Sequence, residues 1–174
     1  GRYLTSVPGV DGESCAAGQA WEWDGVRFSV LHPVLADYDR PGKKSNNLSC
    51  VLRVEAAGRS VLLTADVEAR DEAALLAREP EALRSDVLVV PHHGGSGSSM
   101  PAFVRAVGAG DAVFSAGYRN AFGHPRPDIL ERHAASRQWR TDHDGAVFMV
   151  LEASPRLSAW RREQPRYWRD DGAF

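Results

Sequence analysis

The sequence lacks the marks of several protein classes. It has only two cysteines and two methionines in 174 residues, and no apolar run approaches the roughly 20 residues that cross a bilayer. Its formal net charge of -2 at pH 7 is not the basic excess of a typical nucleic-acid binder. Its 43% of apolar residues is too high for a disordered chain. We therefore expect one compact, soluble domain or a large part of one.

The two cysteines, Cys15 and Cys50, are too few and too far apart for a zinc knuckle or a redox Cys-x-x-Cys motif. One disulfide between them and two buried thiols both agree with the sequence, so cysteine usage does not decide the compartment. The chain begins at Gly1 without an initiating methionine, a charged segment or an apolar segment of the signal-peptide kind. We expect an excised segment of a longer protein.

Hydrophobic periodicity predicts strands that alternate with helices. Alternating residues on both sides of Asp24-Gly25 predict a half-buried antiparallel hairpin. We predict further strands over residues 50–54, 61–65, 86–90 and 111–116, helices over 67–79, 101–107 and 127–137, Ser99 as the cap of the second helix, and a final hairpin that pairs 138–141 with 146–151. This order indicates an α/β fold.

Polar side chains follow three of the predicted strands. Asp66, the His92-His93 pair and His124 each come after a strand, which is where open α/β sheets place their active sites. A carboxylate with neutral imidazoles suits zinc, manganese or iron, and one carboxylate can bridge two metal ions about 3.5–4 Å apart. Asp66 is the candidate bridge, although an aspartate at the end of a strand is also an ordinary turn residue.

Two further segments have open interpretations. Ser96, Ser98 and Ser99 lie among glycines and can present hydroxyls and backbone N–H groups to a phosphate, or form a flexible linker. Asn46-Asn47 can orient a neighbouring loop or bind substrate, but such pairs are also common in turns.

The C-terminal segment mixes guanidinium groups with aromatic rings, which can stack on bases and pair with phosphates or pack on the chain's own domain. Its members are Trp160, Arg161, Arg162, Arg166, Tyr167, Trp168 and Arg169.

An ordered set of motifs resembles one family. The chain carries Cys15-x-x-Gly18-x-x-Trp21-x-Trp23-Asp24-Gly25, Asn46-Asn47, Leu62-Leu63-Thr64-Ala65-Asp66, Pro91-His92-His93-Gly94, Tyr118-Arg119-Asn120-x-Phe122-Gly123-His124-Pro125 and Thr141-Asp142-x-Asp144-Gly145. In this order the motifs resemble the metallo-β-lactamase-like domain of the ComEC family of bacterial DNA-uptake channel proteins.

The resemblance implies a fold and an activity. It implies the C-terminal portion of a metallo-β-lactamase-like αββα sandwich over residues 1–152, with a basic and aromatic tail over 153–174. It further implies a metal-dependent phosphodiesterase that uses two manganese or zinc ions to degrade the DNA strand that is not imported. The implied partners are DNA, a membrane channel region of the same polypeptide and the competence DNA-uptake machinery, which would place the full-length protein in the bacterial inner membrane.

The resemblance also assigns roles to residues. Asp66 matches a bridging metal ligand, and the His92-His93 pair contains a second ligand, which we assign to His92. His93 and His124 are then the catalytic candidates. The candidate substrate-binding residues are Ser96, Ser98, Ser99 and Asn120.

Three departures from the family pattern limit the transfer. The His-x-Asp-x-Asp-His stretch that completes the metal site is absent, so the remaining ligands are expected outside this chain and the fragment by itself is expected to be inactive. Ala65 replaces a common glycine, and Gly95 replaces a common serine. Two alternatives stay open: a non-catalytic DNA-binding or gating module of the same channel, and a free-standing phosphodiesterase with the same fold.

Overall fold

A seven-stranded mixed sheet dominates the computed structural model, which describes residues 13–42 and 44–164. The strands are β1 (Ala20–Trp23), β2 (Val26–His32), β3 (Val51–Ala56), β4 (Arg59–Leu63), β5 (Val87–Val89), β6 (Asp111–Phe114) and β7 (Arg137–Arg140), and they lie in sequence order. The pairs from β1 to β4 are antiparallel, and those from β4 to β7 are parallel. The predicted α/β class is confirmed.

The hairpin of β1 and β2 turns at Asp24 and Gly25, as predicted. Both residues have positive φ, 51° and 74°, which is the geometry of the tight turn that matches strand twist. Trp21 stacks on Phe28 with ring centroids 5.1 Å apart. All four residues of β1 are exposed, because β1 is the edge of the sheet. The prediction of a half-buried pair is therefore correct only for β2.

Three helices follow the parallel strands: α1 (Ala69–Arg78), α2 (Pro101–Val107) and α3 (Pro127–Arg132). One hydrophobic core contains Leu62, Leu88 and Phe114 from the strands with Phe103 from α2 and Ile129 from α3. Sequential parallel strands with right-handed connections place their helices on one face of the sheet, and the shared core agrees with this arrangement. Burying each of these side chains contributes about 1.5–3 kcal/mol.

The opposite face of the sheet carries a row of apolar residues, which we call the second face. Val30, Leu52, Leu63, Val89 and Val113 are cross-strand neighbours from β2 to β6, and side chains at such positions point to the same side. All but Val30 are only partly buried. A strand that is apolar on both sides normally has a packed layer on each.

The predictions beyond residue 126 were partly wrong. The third helix ends at Arg132, not at residue 137, and Arg137 begins β7 beside β6. The final hairpin does not use residues 138–141. Instead Thr141–Asp144 form a short helix, α4, and β8 (Val147–Val150) pairs with β9 (Arg156–Ala159). None of the helices in the described ranges is long and apolar enough to span a membrane.

The first part of the predicted tail packs on the domain. The boundary proposed at residue 152 lies inside the β8–β9 hairpin, and the last helix, α5 (Trp160–Glu163), follows it. Arg162 donates two hydrogen bonds to buried Asp144, at 2.9 and 2.7 Å, and its guanidinium lies 4.6 Å from the Trp139 ring centroid. The other tail residues named above, Arg166, Tyr167, Trp168 and Arg169, lie outside the described residues.

Asp144 connects this segment to the sheet. Burial alone would raise its pKa, but hydrogen bonds from Arg162, the Arg140 N–H and His143 outweigh that effect and hold the pKa of Asp144 below its ordinary value. A buried carboxylate with several donors favours one geometry, because every unpaired acceptor would cost desolvation energy.

A disulfide joins Cys15 to Cys50, which have a Cα–Cα distance of 6.1 Å and a sequence separation of 35. Of the two alternatives left open by the sequence, the structure contains the disulfide. Ser49 precedes Cys50, and its hydroxyl accepts a hydrogen bond of 3.3 Å from the Asp66 N–H. The cross-link therefore holds a segment that touches the Asp66 backbone.

Removing the disulfide should destabilise the fold. The paired replacement Cys15→Ser with Cys50→Ser is expected to lower the free energy of unfolding by about 3 kcal/mol, since the unfolded chain gains the entropy of an open loop. Urea unfolding with and without a reductant measures the effect. The stability of the double-serine variant should be the same with and without reductant. A native chain whose stability is also unchanged by reductant would contradict the cross-link.

Candidate functional site

Four polar side chains meet at one edge of the sheet. Asp66 follows β4, His92 and His93 follow β5, and His124 lies in the loop after β6. These strands are parallel neighbours, so their carboxyl ends point to the same edge and bring the loops together. The structure thus groups the four residues that the sequence singled out, and their chemical roles stay predictions.

The closest pair in this group is Asp66 and His93. The His93 Nε2 atom lies 3.2 Å from Asp66 Oδ1, and His93 Nδ1 lies 2.6 Å from the Ser115 carbonyl oxygen. A carbonyl only accepts, so we infer that Nδ1 carries the hydrogen. In a neutral ring, Nε2 then faces the carboxylate with a lone pair. Two acceptors at this distance require a cation between them, either a second proton on the ring or a metal ion.

The donor chemistry fits a divalent ion only in part. A carboxylate oxygen and an imidazole nitrogen at this separation can both bind one ion at about 2.0–2.2 Å. Within residues 13–42 and 44–164, however, no three or more His, Cys, Asp or Glu side chains are grouped to hold a metal. The residues present could therefore supply only two of the ligands that a divalent ion requires.

His92 has a different environment from His93. Its Nδ1 atom is buried and lacks a hydrogen-bond partner in the described part of the chain. The nearest carboxylate oxygen is Glu68 Oε1, at 3.9 Å. Glu68 was not singled out from the sequence, although its place two residues after Asp66 was an available signal. A carboxylate beside an imidazole can orient the ring by accepting its N–H.

The His-His turn has an unusual backbone. His92, His93 and Gly94 have φ values of 51°, 57° and 78°, and such left-handed conformations are costly for residues with side chains. A Cβ on Gly94 would lie 2.7 Å from the Pro125 Cβ, so only glycine fits there. Ala65 also has positive φ, 47°, which gives a physical reason for the glycine common at that position in the family the sequence resembles.

His124 packs among aromatic rings and charges. Its ring meets His92 edge to face at 5.8 Å and stacks with Phe122 at 5.7 Å. Burial holds the pKa of His124 below its ordinary value, with further lowering by His92, His93 and Arg126 against an opposing effect of Asp66. This lowering favours the neutral form of His124, whose ring offers one N–H and one lone pair.

Gly95 lies directly against this ring. A Cβ on Gly95 would lie 3.0 Å from His124 Cε1, so a serine at this position would press on the imidazole. The departure from the family pattern at Gly95 therefore gives His124 more room.

The candidate substrate-binding side chains are mostly engaged within the domain. Asn120 accepts the His124 N–H at 2.9 Å and donates to the His124 and Gly117 carbonyls, so it holds the loop that carries His124. The Ser98 hydroxyl is buried and donates to the Pro91 and Gly95 carbonyls. Ser96 is exposed. As placed here, Ser96 remains available to a substrate, whereas Ser98 and Asn120 shape the loops.

Ser99 does not cap α2, contrary to the sequence prediction. The buried carboxylate of Glu72 takes that role by accepting the Ser99 and Met100 N–H groups at 2.6 and 2.7 Å. The Ser99 side chain is buried and lies 3.2 Å from His133 Nε2. Glu72 was missed, yet it precedes buried Leu75 by three residues, and this spacing places it on the buried face of α1.

A second buried cluster supports the loop before β3. His32 Nε2 lies 3.0 Å from the Asn47 carbonyl oxygen, and the Asn47 amide donates to Asp71 at 2.5 Å. Of the two interpretations of the asparagine pair, the structure agrees with loop orientation for Asn47. That loop leads to Ser49, which contacts the Asp66 backbone.

His133 is expected to weaken the fold in acid. Burial, with a smaller effect of Arg132, lowers the pKa of His133 from 6.5 to about 4. The unfolded chain binds a proton below pH 6.5 that the folded chain excludes until about pH 4. Stability is therefore fully present above the unfolded pKa and falls as the pH drops through this window, by about 3 kcal/mol at its lower end.

Urea unfolding at a series of pH values tests this expectation. The matched variant is His133→Gln, which cannot titrate but can still bond to Ser99. Carboxylates that titrate in acid are common to both proteins and cancel in the comparison. If the two proteins lose stability equally between neutral pH and about pH 4, His133 is not the group responsible.

The chain is similar to segments of longer proteins. It is 40% identical over 170 residues to Competence protein ComA of Neisseria gonorrhoeae, covering 97% of this chain and 24% of that protein. It is 35% identical over 142 residues to ComE operon protein 3 of Bacillus subtilis, covering 80% of this chain and 18% of that protein. It is also 35% identical over 156 residues to Recombination protein 2 of Haemophilus influenzae, covering 84% of this chain and 19% of that protein. No family model matches the chain.

The chain thus spans between about a fifth and a quarter of the length of these curated relatives. Their names support a competence-related family for this chain.

Proposed function

We propose that the chain is the hydrolytic domain of a DNA-uptake protein, and that with metal ions bound it degrades the DNA strand that is not imported during transformation. One observation carries the proposal. The Asp66 carboxylate and the His93 Nε2 atom face each other at 3.2 Å, at the sheet edge where three loops meet. A divalent metal ion between the two atoms would satisfy both of them, and a metal ion at such an edge is suited to phosphodiester hydrolysis.

The names of the relatives support the biological setting. A competence protein is among them, and DNA uptake presents a long phosphodiester polymer as substrate. Because the chain covers only part of each relative, the partners of the whole protein are part of the proposal. They are DNA, a membrane channel region of the same polypeptide and the rest of the uptake apparatus.

The second face of the sheet supports a larger sandwich. Its apolar row is only partly buried, whereas the helix-covered face forms a closed core. We propose that sequence upstream of this chain covers the second face with another sheet and its helices, which completes an αββα metallo-β-lactamase-like fold. The same upstream half would supply the remaining metal ligands.

The chain's own residues then have distinct roles. Asp66 and His93 hold a divalent ion, which when bound supplies Lewis acidity and an activated water. This reverses the sequence assignment of His92, because His93 is the ring aligned with the carboxylate. The neutral His124 holds a phosphate oxygen through its N–H. Asn120 positions His124, and exposed Ser96 contacts the substrate backbone.

The disulfide bears on the compartment. Cross-links of this kind persist in oxidising environments and are rare in the cytosol of mesophiles. We therefore place the domain on the side of the bacterial inner membrane that faces away from the cytoplasm.

The experiment is DNA cleavage by a longer form of the protein that includes the upstream half. Cleavage of an oligonucleotide in manganese or zinc, and none in chelator, is the expected result. A folded, metal-loaded protein that retains DNA without cutting it would overturn the nuclease proposal in favour of a binding or gating module. Cleavage of small phosphodiesters but not of DNA would instead favour a free-standing phosphodiesterase.

A further inference from the structure

Phe122 is an exposed aromatic ring next to the site. It lies in the loop between β6 and α3, 78% of its surface is accessible, and it stacks on His124 at 5.7 Å with an interplanar angle of 30°. A phenylalanine is usually buried, so a ring this exposed beside polar site residues calls for an explanation.

The loop presents this ring in a defined position. Asn120 bonds to the N–H and carbonyl of His124, and the Arg126 N–H donates to the Gly94 carbonyl at 3.0 Å. Both ends of the Phe122 segment are therefore tied to the site. A ring that is already held in place loses little conformational entropy when a flat partner stacks on it.

A cation accompanies the ring. Arg126 is exposed, and no carboxylate in the described part of the chain lies within ion-pair distance of its guanidinium. Its Nη1 atom lies 3.8 Å from the position that a Cβ on Gly123 would take, so the guanidinium lies beside the Phe122-Gly123-His124 segment. An exposed guanidinium without a carboxylate partner is suited to bind phosphate.

We infer that Phe122 and Arg126 form a docking site for one unpaired nucleotide of a single DNA strand. The base stacks on the exposed face of Phe122, and Arg126 binds the adjacent phosphate. A base inside a duplex is already stacked on both faces and cannot use such a ring. The inference rests on the proposed function and narrows its substrate to single-stranded DNA.

The surroundings favour a nucleotide over a protein partner. The residues next to Phe122 in sequence are Ala121 and Gly123, and Arg126 and Ser96 are exposed and polar. An aromatic ring flanked by small residues and accompanied by exposed polar side chains does not make the continuous apolar patch that protein partners use. Ring and cation together have the composition of a single-strand contact.

Fluorescence anisotropy of the 174-residue chain in chelator tests the inference, because binding is then measured without cleavage. The probe is a labelled oligothymidylate of about 12 nucleotides. Phe122→Ala should weaken its binding about tenfold, the effect of losing one base stack, and Phe122→Tyr should restore it. A strand of the same length and charge with abasic sites should bind the native chain as weakly as oligothymidylate binds Phe122→Ala.

Two further variants complete the design. Arg126→Gln should weaken oligothymidylate and abasic strands alike and reduce the salt dependence of binding, since one phosphate contact is lost. Phe148→Ala is the matched control, because Phe148 is 51% exposed on β8, and it should leave binding unchanged. Circular dichroism verifies that each variant is folded.

The outcomes separate this inference from the proposed function. The docking inference would be overturned if the native chain and Phe122→Ala bound oligothymidylate equally well. It would also be overturned if the native chain bound duplex DNA as tightly as single-stranded DNA. Equal binding by the native chain and Phe122→Ala would leave Phe122 as a contact for a protein. Binding that depends on Phe122 in a protein that never cuts DNA would support the docking site while the nuclease proposal fails. DNA cleavage that is unchanged in Phe122→Ala would support the nuclease proposal and count against the docking site.

Discussion

Replacing Asp66 by asparagine should lower the rate of DNA cleavage by the longer, metal-loaded protein by about 10³-fold. Asparagine keeps the shape of the side chain but removes its charge. The amide then presents no anion to a cation shared with His93 Nε2, which lies 3.2 Å from the native carboxylate. Single-turnover cleavage at saturating DNA measures the change, and manganese binding followed by electron paramagnetic resonance gives a second readout, in which affinity should fall.

The control for Asp66→Asn is Asp24→Asn. Asp24 is exposed in the β1–β2 turn with φ of 51°, a conformation that asparagine adopts easily. The Asp24→Asn protein should cleave DNA at the native rate. The unfolding free energy of Asp66→Asn should stay within about 0.5 kcal/mol of the native value, because its side chain is 39% exposed. Native cleavage by a folded Asp66→Asn protein would remove Asp66 from the mechanism.

The two histidines of the turn provide a sharper comparison. If His93 is the partner of Asp66, His93→Gln should lose more manganese affinity than His92→Gln. The reverse order would restore the assignment of His92 that the sequence suggested. Both residues have similar left-handed backbones, so the comparison is matched for strain.

Replacing Glu72 by leucine should destabilise the fold by about 3 kcal/mol. The Glu72 carboxylate is fully buried and accepts two backbone N–H groups at the start of α2. Leucine leaves both donors buried without partners, and each costs about 1–3 kcal/mol, offset in part by the removal of a buried charge. Glu72→Gln can accept one of the two bonds and should lose about half as much. Urea unfolding measures both variants.

The control for Glu72 is Glu81→Gln. Glu81 is a solvent-exposed partner of Arg84, and exposed pairs contribute little to stability. If Glu72→Leu unfolds at the same urea concentration as this control, the carboxylate does not cap α2 in solution.

Glu72 and His133 have opposite pH dependences although both contact Ser99. Burial raises the pKa of Glu72 against the lowering by the Met100 and Ser99 N–H groups, so its contribution to stability is present below its unfolded pKa and is lost as the pH rises through its folded pKa. The contribution of His133 is lost as the pH falls. The contacts of Glu72 and His133 with Ser99 join α1, the loop before α2 and the end of α3.

Errors in the sequence predictions share one physical origin. Residues 141–144 form a helix whose buried Asp144 is bound by Arg162, which lies 18 residues further along the chain. Ser99 looks like a helix cap in sequence, but Glu72, 27 residues earlier, supplies the acceptor. Local propensity cannot anticipate a donor or acceptor that arrives from another element.

The sequence by itself determined the features that depend on neighbouring residues. These are the turn at Asp24 and Gly25, the alternation of strands and helices, and the loops that carry Asp66, His92, His93 and His124, since turn geometry and hydrophobic period are properties of short segments. Only the tertiary structure decided that His93 rather than His92 faces Asp66, that Glu72 caps α2, and that Phe122 is exposed beside His124. Those outcomes depend on side-chain directions and burial, which arise when distant segments pack together.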